Sequence, residues 1–260
     1  MEAMENVASI ASTLGRILGG GDPCPGDVAL ADWYAYLYVG RGPRATDANR
    51  AKEGSMVDRF ISRGFLGKRR EPGAADRVPP GQYVTRDFPV LSAGPTPRTP
   101  LDRWSFSVEG LVREPVVWSW EEFAQLPTQT FVVDIHCVTK WSKLDTRWEG
   151  VSVDTLFEQV ELDPRAMYVT AYSDGGYTTN IPLAELTNGQ AFVAHTYDGR
   201  ALAPEHGGPA RLVVPHLYFW KSAQWVRGLR LMERDRAGFW ESAGYHNHGD
   251  PWKEERYSGQ

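Results

Sequence analysis

The stretch Phe131-Val132-Val133-Asp134-Ile135-His136-Cys137-Val138-Thr139-Lys140-Trp141-Ser142-Lys143 decides how this chain is read. Its opening is apolar and rich in β-branched residues around a single acid, which predicts a buried strand ending at His136-Cys137. Beyond that end stand a thiol, a hydroxyl and two ammonium groups, and strand ends that open into loops are where chemistry is carried. A thiolate is a soft metal ligand. His136, Lys140 and Lys143 are expected to favour the ionised sulfur. A single cysteine is equally at home as a small buried hydrophobe, and the spacing alone leaves both readings open.

Outward from this stretch the pattern is one of short strands. Trp104, Phe106 and Val108 alternate with Ser105, Ser107 and Glu109, which reads as a half-buried strand. Glu114-Pro115 turns the chain. Ser119-Trp120-Glu121-Glu122 has the form of a capping box before a short helix ending at Pro127. Ser152 is expected to cap a second helix through Val160. Further strands are expected at 167–171, 177–181, 192–197, 211–214 and 226–232, and Pro182 suits the first position of a short helix reaching Leu186. Many short strands and few short helices, punctuated by Gly and Pro, indicate an α+β, strand-rich domain.

A second chemical cluster follows: His206-Gly207-Gly208-Pro209-Ala210-Arg211, then Tyr218-Phe219-Trp220-Lys221-Ser222. Glycines let a ligand approach the backbone, and Arg211 and Lys221 suit an anion such as a phosphate. A hairpin with solvated charges explains the same residues. There is no GxGxxG, P-loop, HExxH, CxxC or GxSxG, which makes a P-loop NTPase or a simple dinucleotide enzyme a poor fit.

Composition bounds the rest. The chain has 260 residues, and 33 acids against 28 bases give a formal charge of -5, so no basic nucleic-acid footprint is expected. Hydrophobic residues at 42% suffice for a core, and no apolar run is long enough to span a membrane. Ten Trp, 11 Tyr and 10 Phe suit either a core of large rings or an aromatic-walled pocket. Two cysteines, Cys24 and Cys137, cannot form a disulfide framework. Residues 1–75 read as a loosely ordered N-terminal extension, broken at Gly19-Gly20-Gly21-Asp22-Pro23, and 76–260 as the globular domain. Met56 is a plausible start, which would make 1–55 an over-called extension. The acidic beginning, and Glu71-Pro72-Gly73 after Arg69-Arg70, lack the form of an export signal, and a cytoplasmic location is expected.

In collinear order, the segments from Pro79 to Tyr257 resemble the molybdopterin-binding catalytic domain of the sulfite oxidase superfamily. They are most similar to its small bacterial members, among them methionine sulfoxide reductase catalytic subunits. The resemblance is carried by Pro79-Pro80-Gly81-Gln82-Tyr83 with Phe88-Pro89-Val90-Leu91, by Trp104 to Leu111, and by His136-Cys137-Val138-Thr139 with Trp141-Ser142. Trp148-Glu149-Gly150-Val151, Tyr172-Ser173-Asp174-Gly175, Gly208-Pro209 through Lys221-Ser222, Gly238-Phe239-Trp240-Glu241 and Gly244-Tyr245-His246-Asn247 complete it.

The resemblance implies a mixed α/β fold in a single catalytic domain with one molybdenum-molybdopterin per chain. It implies that Cys137 is the protein's thiolate ligand to molybdenum and that His136 and Thr139 flank the metal or the substrate. Arg211 matches the pterin-binding arginine, and His206 falls where relatives place Asn or His. Ser222, Ala223 and Gln224 match a cofactor-holding segment. Gln224 departs from the family's usual Lys, and Lys221 is expected to compensate. Ser173 matches a further pterin contact, and Arg86 and Phe88 loosely match the N-terminal cofactor segment. Tyr218, Trp220, Tyr245 and Trp252 are pocket-wall candidates, and His246 and His248 either orient substrate or lie at the surface. The activity implied is oxygen-atom transfer to or from a small S- or N-oxide or sulfite-type molecule, with electrons exchanged through a separate protein partner. A monomer is expected, without the heme domain or the immunoglobulin-like dimerisation domain of larger relatives. A cofactor-free binding protein that retains the fold is the alternative. A thiol enzyme or zinc site using Cys137 and His136 is a third reading, weakened by the absence of a companion cysteine.

Overall fold

A computed structural model describes residues 75–92 and 94–259. The expectations about the extension 1–75, the start at Met56, Cys24 and Arg69-Arg70 lie outside these residues, apart from Ala75 itself.

Among the described residues, eleven strands and three short helices follow in chain order: β1 (Tyr83–Val84), β2 (Ser105–Gly110), β3 (Val116–Ser119), α1 (Trp120–Gln125), β4 (Gln129–His136), β5 (Trp141–Ser152), α2 (Val153–Phe157), β6 (Tyr168–Ser173), β7 (Thr178–Pro182), β8 (Phe192–Tyr197), β9 (Arg200–Ala201), β10 (Arg211–Val213), β11 (Val226–Met232) and α3 (Phe239–Ser242). They form two sheets. One runs β1-β5-β8-β10, with β4 paired to β5 and β9 to β8, and the other runs β3-β2-β11-β6-β7. Pairing is antiparallel except for β1 with β5 and β2 with β11. No helix among the described residues is long and apolar enough to cross a membrane.

The first sheet separates two apolar clusters. Strand side chains alternate between faces, so Val193 and Leu212 join the large cluster built on the second sheet, with Phe106, Val169 and Leu229. Phe192, Ala194 and Val213 point to the opposite face, where they meet Ile135, Cys137, Trp141, Trp148 and Phe219. Cys137 therefore belongs to the smaller, aromatic cluster.

The expected α+β architecture is the one observed. The capping box is present: Ser119 Oγ accepts from Glu122 N at 3.3 Å, and Glu122 Oε2 accepts from Ser119 N at 2.8 Å. Four expectations are corrected. β4 is half-exposed along most of its length, with Val132 facing outward; among the described strands β5 runs beside it, and a bridge from His136 to Tyr218 joins its end. β5, the longest strand at 12 residues, was not anticipated. The helix capped by Ser152 ends at Phe157 rather than Val160. Pro182 closes β7 and precedes the 3-10 turn Leu183–Glu185 instead of opening an α-helix.

Candidate active site

Cys137 sits in the tight turn between β4 and β5. Its N–H donates to Trp141 O at 2.8 Å, and its carbonyl accepts from Lys140 N at 3.0 Å and from Gln82 Nε2 at 3.0 Å. Lys140 closes the turn at φ 75°. The sulfur is buried, and the Thr139 hydroxyl donates to it at 3.1 Å.

The electrostatics differ from the sequence expectation. Burial pushes the Cys137 thiol up, opposed by Thr139 and by the positive charge of Arg256. His136 supplies no charge near neutral pH: burial lowers its pKa to about 4, and its Nδ1 lies 2.9 Å from Ser142 Oγ. Lys143 turns away to donate to the Arg86 carbonyl. A thiol in such a site is ionised by a metal rather than by neighbouring lysines.

Arg211 sets the other wall. It opens β10, and alternation points it to the face of Trp148 and Phe219, whose rings its guanidinium carbon approaches to 5.9 and 4.1 Å. It is 1% exposed. Nη1 donates to His206 O at 2.8 Å and Nη2 to Ser222 O at 2.9 Å, but Nε has no partner. Burial lowers its pKa to about 9, with Tyr177 and Cys137 among the groups opposing, so it stays charged at neutral pH. No described carboxylate lies within ion-pairing distance. A buried cation without an anion is costly, and the solvated hairpin reading of this cluster is overturned.

Phe88, His206 and Ser222 adjoin the pair, whereas Arg86 does not. The Phe88 ring stacks on His206 at 4.0 Å and stands 6.3 Å from Trp141 and 6.0 Å from Phe219. His206 Nδ1, Ser173 Oγ and Trp141 Nε1 are buried and lack hydrogen-bond partners. Ser222 Oγ accepts from Val214 N, and Ala223 O accepts from Leu212 N, so this segment is knitted to β10. Gln224 lies against Gly207, whose φ of 104° suits glycine and whose Cβ, if present, would stand a tight 3.1 Å from Gln224 Cα. Arg86 is exposed on the β1 side.

Lys221 is where the geometry departs most from expectation. It is fully buried and pairs with Glu241 Oε1 at 2.6 Å while donating to Asn180 O at 2.7 Å and Asn247 O at 2.6 Å. An ammonium has three protons to give, and all three are spent inside the fold. Tyr218 and Trp220 are buried and stacked at 5.2 Å, whereas Trp252 is largely exposed, 6.4 Å from His136. His248 is gripped by Glu185 and Glu255, each at 2.9 Å, and His246 Nδ1 accepts from the backbone of His248 and Gly249. A cavity of about 400 Å³ borders the 204–209 loop, lined by Arg98, Trp120, His195, Pro204 and Pro209, and holds none of the expected site residues. Two residues beside Cys137 were missed in the sequence, Gln82 and Arg256. Arg256 follows two acids in a charged tail and carries no local signal of burial.

Among the described residues, no three His, Cys, Asp or Glu side chains are grouped to hold a metal. The site offers one sulfur, one uncompensated guanidinium and several unpartnered buried polar atoms. That donor set suits a large polar, anionic cofactor whose metal brings most of its own ligands, and does not suit a zinc ion needing about four protein ligands.

The comparisons agree with this chemistry. The family described as oxidoreductase molybdopterin binding domain matches residues 93–240. The uncharacterized oxidoreductase YuiH of Bacillus subtilis (strain 168) is 42% identical over 195 residues, covering 75% of this chain and 98% of that protein. The protein-methionine-sulfoxide reductase catalytic subunit MsrP of Gluconobacter oxydans (strain 621H) is 26% identical over 155 residues, 53% of this chain and 49% of that one, so the match spans about half of that relative. The solved sulfane dehydrogenase SoxCD of Paracoccus pantotrophus aligns with a TM-score of 0.49 at 18% identity, over 82% of this chain and 60% of that chain. The family match covers more than half of the chain, and the chain is therefore an oxidoreductase of the molybdopterin-binding domain family, within the sulfite oxidase superfamily.

Proposed function

We propose that the protein binds one molybdenum-molybdopterin per chain and catalyses oxygen-atom transfer to or from a small S- or N-oxide or sulfite-type substrate. The observation that carries this reading is the buried, unpaired Arg211 guanidinium on the same aromatic face as Cys137. When bound, the cofactor would supply a two-electron centre able to accept or give an oxygen atom.

The remaining tasks fall to this chain. Cys137 offers its sulfur from a turn held at both backbone ends, and Thr139 orients that sulfur through its hydroxyl. Arg211 offers Nε to the cofactor's anionic end, where a charge-assisted hydrogen bond is worth roughly 1.5–3 kcal/mol. His206 Nδ1, Ser173 Oγ and Trp141 Nε1, buried without partners, would be free to meet polar edges of the pterin. Trp148, Phe219 and Phe88 exclude water, which strengthens each of these interactions. Lys221 is assigned no cofactor contact in this reading, and Glu241 neutralises it. An electron-transfer partner is a separate protein. The similarity to MsrP supports sulfoxides as the first substrates to try.

The test is metal and pterin analysis of protein made with ample molybdate, followed by turnover of sulfite, methionine sulfoxide, dimethyl sulfoxide and N-oxides with artificial electron donors or acceptors. About one molybdenum per chain and turnover of one of these is expected. A folded chain that takes up neither molybdenum nor pterin would favour the cofactor-free binding protein.

A further inference from the structure

Arg256 is a buried charged residue of the segment that follows α3. It is 6% exposed. Nη1 donates to Val138 O at 2.8 Å, Nη2 lies 3.4 Å from Pro80 O, and the guanidinium stands 4.9 Å over the Tyr218 ring. Glu254, on the exposed side, approaches Nη2 only to 3.7 Å. The two carbonyls bracket the Cys137 turn. Val138 follows the cysteine directly, and Pro80 begins the Pro80-Gly81-Gln82 corner whose Gln82 amide holds the Cys137 carbonyl.

The segment is itself fastened. Tyr218 N donates to Gly249 O at 2.8 Å, His246 N to Arg256 O at 3.1 Å, and Glu255 sits between His248 and the backbone of Asp250. An arginine carried 118 residues beyond Val138 thus adds a hydrogen bond at the residue after the cysteine to the one that the cysteine N–H makes with Trp141.

We propose that Arg256 is a positioning residue of the reaction centre: it locks the Cys137 turn between the 80–82 corner and the C-terminal segment and keeps a fixed positive charge beside the cysteine sulfur. This rests on the reading of Cys137 as the metal ligand. A guanidinium that serves only to glue the segment down would hold the same bonds without influencing the centre. Groups behind a ligand that hydrogen-bond or carry charge set its orientation and the potential of its metal.

The experiment compares Arg256→Gln and Arg256→Lys with wild type as full-length, molybdenum-quantified protein. Arg256→Gln is expected to shift the thiolate-to-metal absorption and to lower the reduction potential of the centre, because a positive charge stabilises the more negative reduced state. Arg256→Lys is expected to restore the potential while leaving the turn loose. Hydrogen exchange on cofactor-free protein reads the lock by itself, and the 137–141 amides should exchange at least about tenfold faster in both variants. Unchanged absorption and potential in Arg256→Gln, with faster exchange confined to 245–258, would overturn the proposal. If Arg256→Gln does not fold, Arg256→Lys decides alone: unaltered exchange at 137–141 overturns it. If wild type binds no molybdenum, the functional reading fails, and the exchange result still stands or falls separately.

Discussion

Replacing Cys137 by serine changes one atom and almost no volume. The hydroxyl is a harder donor that stays protonated near neutral pH. Cys137→Ser should therefore abolish turnover in protein whose melting temperature stays near wild type, and the thiolate absorption should vanish. Wild-type turnover in that variant would refute the ligand assignment. Arg211 gives the complementary case. Because it is buried and unpaired by any described acid, Arg211→Met should leave the cofactor-free chain as stable as wild type or more so, while pterin retention falls at least about tenfold on gel filtration. A variant that keeps its pterin would refute the role. Both residues stood out in the sequence as candidates, but their spacing left a buried hydrophobe and a solvated hairpin open, and the family resemblance supplied their roles. Lys221 is misleading in sequence. Its type is that of a phosphate ligand, and only the fold reveals Glu241 beside it.

Among the elements, β5 is the instructive omission. Lys143, Asp145, Arg147 and Glu149 occupy alternate positions, while Thr146 and Trp148 between them and Gly150 after them are buried. Period-two alternation was present, but charges on the outer face masked it. Gly150 is set by a close approach. A Cβ there would stand 2.7 Å from Ala194 Cα and collide with the Val193 carbonyl, where the β5–β8 register shifts. Gly150→Ala should cost about 2–3 kcal/mol in urea unfolding. The C-terminal clasp makes a pH prediction. Burial lowers the His248 pKa, but hydrogen bonds to Glu185 and Glu255 outweigh it and the net shift is upward from 6.5. The stability His248 adds is complete below 6.5 and is lost as pH rises through its higher folded value. Glu185 and Glu255, raised by burial but lowered more by their partners, lose theirs as pH falls below 4.5. His216, His246, Asp250 and Lys253 face the same cluster. Protection of the 245–258 amides should peak between about pH 4.5 and 6.5, and His248→Gln should flatten its alkaline limb.

For the whole molecule, the sequence pattern was sufficient for a strand-rich α+β class because hydrophobic alternation survives in β2 and short apolar stretches mark β8, β10 and β11. It was not sufficient for the division into two sheets, since strand order is a long-range property that local periodicity does not carry. The site was legible as two separate clusters, and the fold unites them by aiming Arg211 and Cys137 to one face of the first sheet. This arrangement leaves buried polar atoms waiting for partners. Cofactor-loaded protein should consequently melt at a higher temperature than cofactor-free protein. Calorimetry on the two forms checks this, and the gap should shrink in Arg211→Met.

The Cys137 turn has one more consequence. Its N–H and carbonyl are both engaged, its sulfur receives the Thr139 hydroxyl, and its neighbours come from the corner before β1, from β5 and from the C-terminal segment. On the proposed reading of Cys137 as the metal ligand, a sulfur tethered at so many points would follow changes in metal bond length less freely than one on an open loop. Such a turn would act as a mechanical clamp, holding down the nuclear motion that accompanies each electron exchanged.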